Sequence, residues 1–90
     1  MKRIHFTASG EVQGVGLRWS VLEMAQNLGL SGWIRNREDG LVEGEAQGSN
    51  IQVKEFMKNL KAGPGRAKIA SLIEEARPVQ KLESGFEIHH

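Results

Sequence analysis

The chain has 90 residues, 39% of them hydrophobic and 26% charged, which is the size and composition of one small globular domain over residues 1–90. Twelve Lys and Arg against eleven Asp and Glu leave a net charge of +1, with no electrostatic footprint for nucleic acid or membranes. The absence of cysteine excludes disulfides, a thiolate nucleophile and Cys-ligated zinc. There is no secretory signal, and no apolar run approaches the roughly 20 residues of a membrane span, so we expect a cytoplasmic protein.

The first half of the chain predicts a strand, a helix and a hairpin. Residues 3–12 alternate, which predicts a strand that buries Ile4, Phe6, Ala8 and Val12 and exposes the opposite positions, Arg3 and His5 among them. Helical spacing begins at about Trp19 and ends at Gly29. Residues 32–36 and 41–47 read as two strands joined by a turn at 38–40, and Gly44 would allow a close approach.

The second half predicts a helix followed by two strands. Ser49 and Gln52 form a capping box before a helical stripe of Val53, Phe56, Met57 and Leu60, and residues 63–65 end that helix. Residues 67–75 predict a strand with Ile69, Ser71 and Ile73 on one face, 79–85 a polar loop and 86–88 a short strand. The order is typical of an α+β, ferredoxin-like βαββαβ sandwich, with two helices on one face of a mainly antiparallel sheet and a short extra C-terminal strand.

The turn after the first strand has the features of an anion-binding loop. It consists of Gln13, Gly14, Val15, Gly16, Leu17 and Arg18. Glycines let backbone N–H groups converge, and the start of the following helix adds unpaired donors and the positive end of its dipole. Arg18 adds a planar cation that matches phosphate oxygens. The alternative is a simple tight turn with a solvated Arg18.

Asn36 is predicted to lie beside this loop. The two strands of a βαβ unit are parallel, so their C-terminal ends lie at the same end of the sheet. The glycine loop follows the first strand, and Asn36 ends the second on the same face as Ile34. We expect Arg35 and Arg37 to project elsewhere as solvated charges. The alternative for Asn36 is a turn residue before the hairpin.

Other chemistries lack essential residues. Trp19 stands where a dinucleotide fingerprint has a small residue, and neither a G-x-x-x-x-G-K-[ST] nor a G-x-S-x-G string occurs. Asp39, in a turn, is the only aspartate, which disfavours an aspartyl-phosphate route. His5, His89 and His90 are expected on the surface and too scattered to bind a metal.

Two stretches resemble the signatures of the acylphosphatase family. Residues 10–18 (GEVQGVGLR) are similar to its phosphate-loop signature, and residues 28–43 (LGLSGWIRNREDGLVE) to its second signature. Other fitting positions are Gln47, Gly48, Phe56, Leu60, Gly63, Pro64, Gly85, Phe86 and Ile88, so the resemblance spans essentially the whole chain. Leu17 departs from the aromatic residue that is common in the family, but removes no hydrogen-bonding group.

The resemblance implies a ferredoxin-like fold and hydrolysis of acyl phosphates to carboxylate and inorganic phosphate. It implies that Arg18 binds the phosphate and that Asn36 orients the attacking water. Because the leaving carboxylate is a weak base, positioning and electrostatic stabilisation supply most of the catalysis, and we expect no metal or other cofactor. We expect inorganic phosphate to be both product and competitive inhibitor, and the protein to be a monomer.

Two other functions share some of these features. A non-catalytic anion-binding or regulatory module would keep the same loop. RNA-recognition motifs share the order of elements, but they stack bases on aromatic side chains of the middle strands. Residues 41–47 have no aromatic residue and two glutamates, so we expect no nucleic-acid partner, and likewise no membrane partner.

Overall fold

The computed structural model describes residues 1–90 as a sheet of five strands with two helices packed on one face. The elements are β1 (Lys2–Glu11), α1 (Leu17–Asn27), β2 (Ser31–Asn36), β3 (Val42–Gly48), α2 (Asn50–Lys61), β4 (Lys68–Arg77) and β5 (Phe86–Ile88). The strand order is β4-β1-β3-β2-β5, antiparallel throughout except for the β2–β5 pair. The predicted ferredoxin-like α+β fold is therefore confirmed, including its short last strand.

The core lies between the sheet and the helices. The predicted even-numbered residues of the first strand are buried, as are the predicted helix residues Val21, Ala25, Val53, Phe56 and Leu60. Phe6 packs against Phe56 with ring centroids 5.5 Å apart. Gly44 is paired with Phe6 across the β1–β3 ladder, and a Cβ atom there would lie 2.5 Å from Phe6 Cζ. The Trp33 carbonyl oxygen would be even closer to the same Cβ position, so the close approach predicted at Gly44 is made by the Phe6 ring and by the backbone of β2.

Helix α2 begins with the predicted capping box. The Gln52 N–H donates to Ser49 Oγ at 3.1 Å, and the Ser49 N–H donates to Gln52 Oε1 at 2.9 Å. These two bonds satisfy backbone donors that a helix N-terminus otherwise leaves unpaired.

The predicted face of β4 is wrong because a β-bulge changes the alternation of its side chains. Ser9 pairs with Ser71 but Gly10 pairs with Ile69, which leaves Ala70 as the extra residue. Ile69 and Leu72 consequently both pack against the core, and Ile73 is 56% exposed. The alternation of apolar and polar residues in a sequence does not reveal where a bulge inserts a residue.

Arg3 was expected to be exposed, but it is only 4% exposed. Its Nε donates to Glu45 at 2.6 Å, and its Nη1 and Nη2 donate to Glu83 at 2.6 and 3.1 Å. Burial lowers the pKa of Arg3, but its bonds to Glu83 and Glu45 outweigh burial and raise it, while Arg3 lowers the pKa of Glu83. The loop between β4 and β5, which carries Glu83, therefore covers part of the outer sheet face.

His5 also lies on that outer face without being exposed, since only 14% of its side chain is accessible. Its Nε2 lies 3.1 Å from Glu43 Oε1, and its ring packs edge-on against Trp33. His89 is half-exposed and stacks on the same Trp33 ring, with centroids 5.3 Å apart, and His90 is exposed. The outer face is thus an ordered layer of polar and aromatic side chains.

Candidate active site

The sheet topology brings the C-terminal ends of β1 and β2 together. Val42 of β3 pairs with Ala8 of β1 on one side and with Asn36 of β2 on the other. Strands β1 and β2 flank β3 and are both antiparallel to it, so they are parallel to each other. The glycine loop and Asn36 consequently lie at the same end of the sheet, where the strand order of the sequence analysis predicts them.

The loop is shaped by its two central glycines. Gly14 and Gly16 have φ angles of +73° and +75°, in the left-handed region that residues with a Cβ atom rarely adopt. A Cβ atom at either position would meet nothing within 4 Å. The backbone conformation, and not crowding, therefore requires glycine here, and the space beside the loop is open.

Helix α1 starts from this loop without a cap. Gly16 occupies the N-cap position and offers no side chain, and the first turn contains no acidic residue. The first helical bond runs from the Ser20 N–H to the Gly16 carbonyl at 3.1 Å, so the N–H groups of Leu17 and Arg18 have no acceptor in the helix. Unlike α2, α1 thus presents free donors and the positive end of its dipole.

The apolar residues of the loop attach it to the core. Leu17 is 1% exposed, and the half-buried Val15 packs against the same core cluster. Leucine therefore fills, as a buried core residue, the position where the resemblance anticipates an aromatic residue. Anchored in this way, the loop holds its backbone N–H groups in a fixed arrangement.

A small cavity of about 180 Å³ joins the loop to the end of β2. Its lining residues are Val12, Gly14, Gly16, Leu17, Arg18, Trp19 and Asn36. Arg18 is half-buried and takes part in none of the ion pairs of the chain, whereas Arg3, Arg35, Arg37 and Arg77 each pair with a carboxylate. Its guanidinium group is the free cation at this cavity.

The Asn36 side chain is also without a protein partner. Its Oδ1 atom is buried and accepts no hydrogen bond. A buried amide oxygen left unpaired destabilises a protein by about 1–3 kcal/mol, and a water molecule or ligand in the cavity would supply the missing donor. The neighbouring Arg35 and Arg37 project elsewhere, as predicted, but they are paired with Glu43 and Asp39 and not simply solvated.

Gln13 has a role that the sequence did not indicate. Its Nε2 donates to the carbonyl oxygens of Arg37 at 2.8 Å and of Leu41 at 2.9 Å. The side chain thus bridges the glycine loop and the β2–β3 turn, while the backbone of Gln13 stays in the loop. No pattern in the sequence signals such a bond, because both acceptors are main-chain atoms.

The structure contains neither a candidate metal site nor a membrane-spanning helix. No group of three or more His, Cys, Asp or Glu side chains is arranged to hold a metal ion. None of the helices has the length and apolar character needed to cross a membrane.

Comparisons with known proteins identify the fold and the family. The family model of acylphosphatase matches residues 4–88. An acylphosphatase of Pseudomonas paraeruginosa is 46% identical over 83 residues, which cover 92% of this chain and 90% of that protein. The crystal structure of acylphosphatase from Bacillus subtilis is 30% identical, with a TM-score of 0.94 and full coverage of both chains. The structure of an acylphosphatase from Coxiella burnetii is 35% identical, with a TM-score of 0.91 over 98% of this chain and 92% of that one.

Fold and relatives together define a small ferredoxin-like hydrolase. The chain belongs to the acylphosphatase family, and its activity is the hydrolysis of acyl phosphates.

Proposed function

We propose that the cavity between the glycine loop and Asn36 is the active site. The observation that supports this assignment most directly is the meeting, in one cavity, of an uncapped helix start, an unpaired Arg18 and an unpartnered Asn36 amide. The loop 13–18 offers backbone N–H groups, and Arg18 offers a planar fork of N–H donors. The phosphoryl oxygens of the substrate would accept these bonds. Asn36 would hold the water that attacks phosphorus.

The reaction needs little more than this positioning. The water oxygen forms a bond to phosphorus as the bond from phosphorus to the acyl oxygen breaks, and the electron pair of that bond leaves with the carboxylate. The proton of the water passes to a phosphoryl oxygen, since no carboxylate or imidazole lines the cavity. Donors fixed in place before the reaction stabilise the charge on the phosphoryl oxygens without reorganisation. Asn36 can accept from the water through Oδ1 and donate through Nδ2.

Further properties of the protein are part of the same proposal. The product, inorganic phosphate, keeps every contact proposed for the phosphoryl group, so it would inhibit competitively. We also propose that catalysis is independent of metals, and that residues 1–90 work as one domain, because all strands belong to one sheet over one core. A monomeric state and a cytoplasmic location stay predictions.

The test is hydrolysis of benzoyl phosphate and acetyl phosphate by the wild-type protein and by Arg18→Lys. Lysine keeps the charge but loses the bidentate fork, so kcat/KM should fall at least about 100-fold and the inhibition constant of phosphate should rise. Arg77→Lys, at an exposed arginine that pairs with Arg3 at the end of β1 far from the loop, is the matched control and should leave the kinetics unchanged. Wild-type-like kinetics of Arg18→Lys would remove Arg18 from the proposed mechanism.

A further inference from the structure

Trp19 is the exposed aromatic residue beside the proposed active site. It lies in the first turn of α1, is 65% exposed, and lines the same cavity as Arg18 and Asn36. The other exposed large hydrophobic residues are Met1, Ile51, Ile73, Val79 and Leu82, and none of them lines this cavity. Trp33, the second tryptophan, is instead stacked on His89. Trp19 is therefore the exposed aromatic ring that a ligand bound in this cavity can contact.

The cavity is small, and part of its lining, Gly14, Gly16 and Trp19, is exposed to solvent. It measures about 180 Å³, whereas pockets that bury a drug-sized ligand measure about 300–1,000 Å³. The glycines, Arg18 and Asn36 account for binding of the phosphoryl group. With the phosphoryl group bound by these residues, the acyl group attached to it would lie at the exposed edge of the cavity, where the side chain with a broad apolar face is Trp19.

The charges around the mouth disfavour an anionic acyl group. The polar groove on the other side of Asn36 contains Arg35 and Arg37, but each is neutralised by a carboxylate, Glu43 and Asp39 respectively. Arg18 is the one arginine that lines the cavity, and in the proposed mechanism its guanidinium group donates its hydrogen bonds to the phosphoryl oxygens. No second arginine lines the cavity to bind a carboxylate on the acyl group.

We propose that Trp19 binds the acyl group and makes the enzyme prefer acyl phosphates whose acyl group is planar and apolar, such as an aroyl group. This inference rests on the proposed function, since it takes the phosphoryl group to be held by the loop and Arg18. Planar rings stack on an indole in offset or edge-on arrangements, and such contacts stabilise a complex beyond the area they bury. A methyl group, as in acetyl phosphate, gains much less from the same surface.

The test compares benzoyl phosphate with acetyl phosphate in Trp19→Ala and Trp19→Phe. The ratio of kcat/KM for benzoyl over acetyl phosphate should fall about threefold to tenfold in Trp19→Ala, the range expected for loss of one aromatic stacking contact. Trp19→Phe keeps an aromatic face and should retain most of the ratio. Ile51→Ala, at an exposed apolar residue of α2 outside the cavity, is the matched control and should keep the wild-type ratio.

A binding measurement separates recognition from turnover. Phenylphosphonate and inorganic phosphate are used as inhibitors of acetyl phosphate hydrolysis. In Trp19→Ala the inhibition constant of phenylphosphonate should rise about threefold to tenfold relative to that of phosphate. Because the ring is largely exposed, its truncation leaves the core intact, and circular dichroism should report a folded protein.

Two results would overturn the inference, and neither touches the proposed function. An unchanged ratio of benzoyl to acetyl phosphate turnover in Trp19→Ala would mean that the acyl group does not contact the indole. If Trp19→Ala changed the inhibition constants of phenylphosphonate and phosphate by the same factor, the conclusion would be the same. The proposed function fails instead if the Arg18→Lys variant keeps wild-type activity on both substrates.

Discussion

Gln13 is hydrogen-bonded to Arg37, with its side-chain Nε2 2.8 Å from the carbonyl oxygen of the residue that follows Asn36. The same nitrogen donates to the Leu41 carbonyl at 2.9 Å, so one side chain connects the glycine loop to both sides of the β2–β3 turn. In the proposed mechanism this bond links the element that binds phosphate to the element that holds water.

Replacing Gln13 by methionine should therefore disturb the position of Asn36 more than phosphate binding. Methionine keeps the length of the side chain and its neutrality but has no N–H donor. We expect kcat to fall about tenfold while the inhibition constant of phosphate changes less than about threefold, since the loop backbone is retained. Gln26→Met, at an exposed glutamine of α1 that forms none of the side-chain hydrogen bonds, is the control. Equal losses in kcat and phosphate binding would indicate a general distortion of the loop.

Metal chelation should leave the activity intact. The backbone N–H groups and the guanidinium group of the proposed site cannot bind a cation, and a single amide oxygen is too few ligands to hold Mg²⁺ or Zn²⁺. The rate of benzoyl phosphate hydrolysis after exhaustive EDTA treatment should equal the untreated rate. Activity that is lost on chelation and restored by added Mg²⁺ or Zn²⁺ would contradict the mechanism.

Patterning of the sequence predicted the features that depend on local periodicity and connectivity. Alternation in β1 identified Ile4, Phe6 and Ala8 as buried, because one face of that strand packs on the helices without interruption. The parallel relation of β1 and β2 was enough to place Asn36 beside the glycine loop. Both inferences follow from rules that hold whatever the side chains of the partner elements are.

Features that depend on long-range partners could not be predicted. Arg3 has the parity of an exposed residue, but the loop that carries Glu83 folds across it from 80 positions away in the chain. Gln13 donates to main-chain oxygens, and because every residue has such an oxygen, the sequence does not indicate which ones are the acceptors. The bulge at Ala70 in β4 shifts the face of every residue beyond it, and alternation alone does not reveal an inserted residue.

The ion pair of Arg3 with Glu83 should make stability depend on pH. The hydrogen bonds and charge of Arg3 hold the pKa of Glu83 below its usual value of 4.5, even though burial opposes this effect. A carboxyl group with a lowered pKa stabilises the folded state at every pH above its unfolded pKa, and that contribution disappears as pH falls through the folded pKa. Glu83→Gln should therefore lower the free energy of unfolding by about 1–3 kcal/mol at pH 7.

The size of that loss should itself change with pH. Denaturant unfolding at a series of pH values should give a constant difference between wild type and Glu83→Gln from pH 7 to about pH 5, and a shrinking one below the usual pKa of 4.5. Glu55→Gln, at an exposed glutamate of α2, should show little difference at any pH. A difference that stayed constant down to pH 2 would indicate lost packing and not a lost ion pair.

The sharpest test of the active site separates the two proposed roles at Asn36. If the amide orients water while Arg18 and the loop bind phosphate, Asn36→Ala should lower kcat about 100-fold or more. The inhibition constant of phosphate should change less than about threefold, because none of the proposed phosphate donors is removed. Steady-state hydrolysis of benzoyl phosphate, with circular dichroism to verify folding, measures both quantities.

Asn36→Asp is the stricter variant, because it preserves size and one acceptor oxygen while it removes the amide donor. It also brings a negative charge into a cavity of about 180 Å³ that is proposed to hold an anion, so both kcat and phosphate affinity should fall. A residue that only shapes the turn would accept this change, since Asn and Asp make the same side-chain bonds to a turn backbone. Asn50→Asp, at the start of α2, where a carboxylate is compatible with the helix dipole, controls for the added charge. A folded Asn36→Asp variant with nearly full activity would show that the Asn36 amide does not orient the attacking water. The buried Oδ1 atom would then need a purely structural explanation.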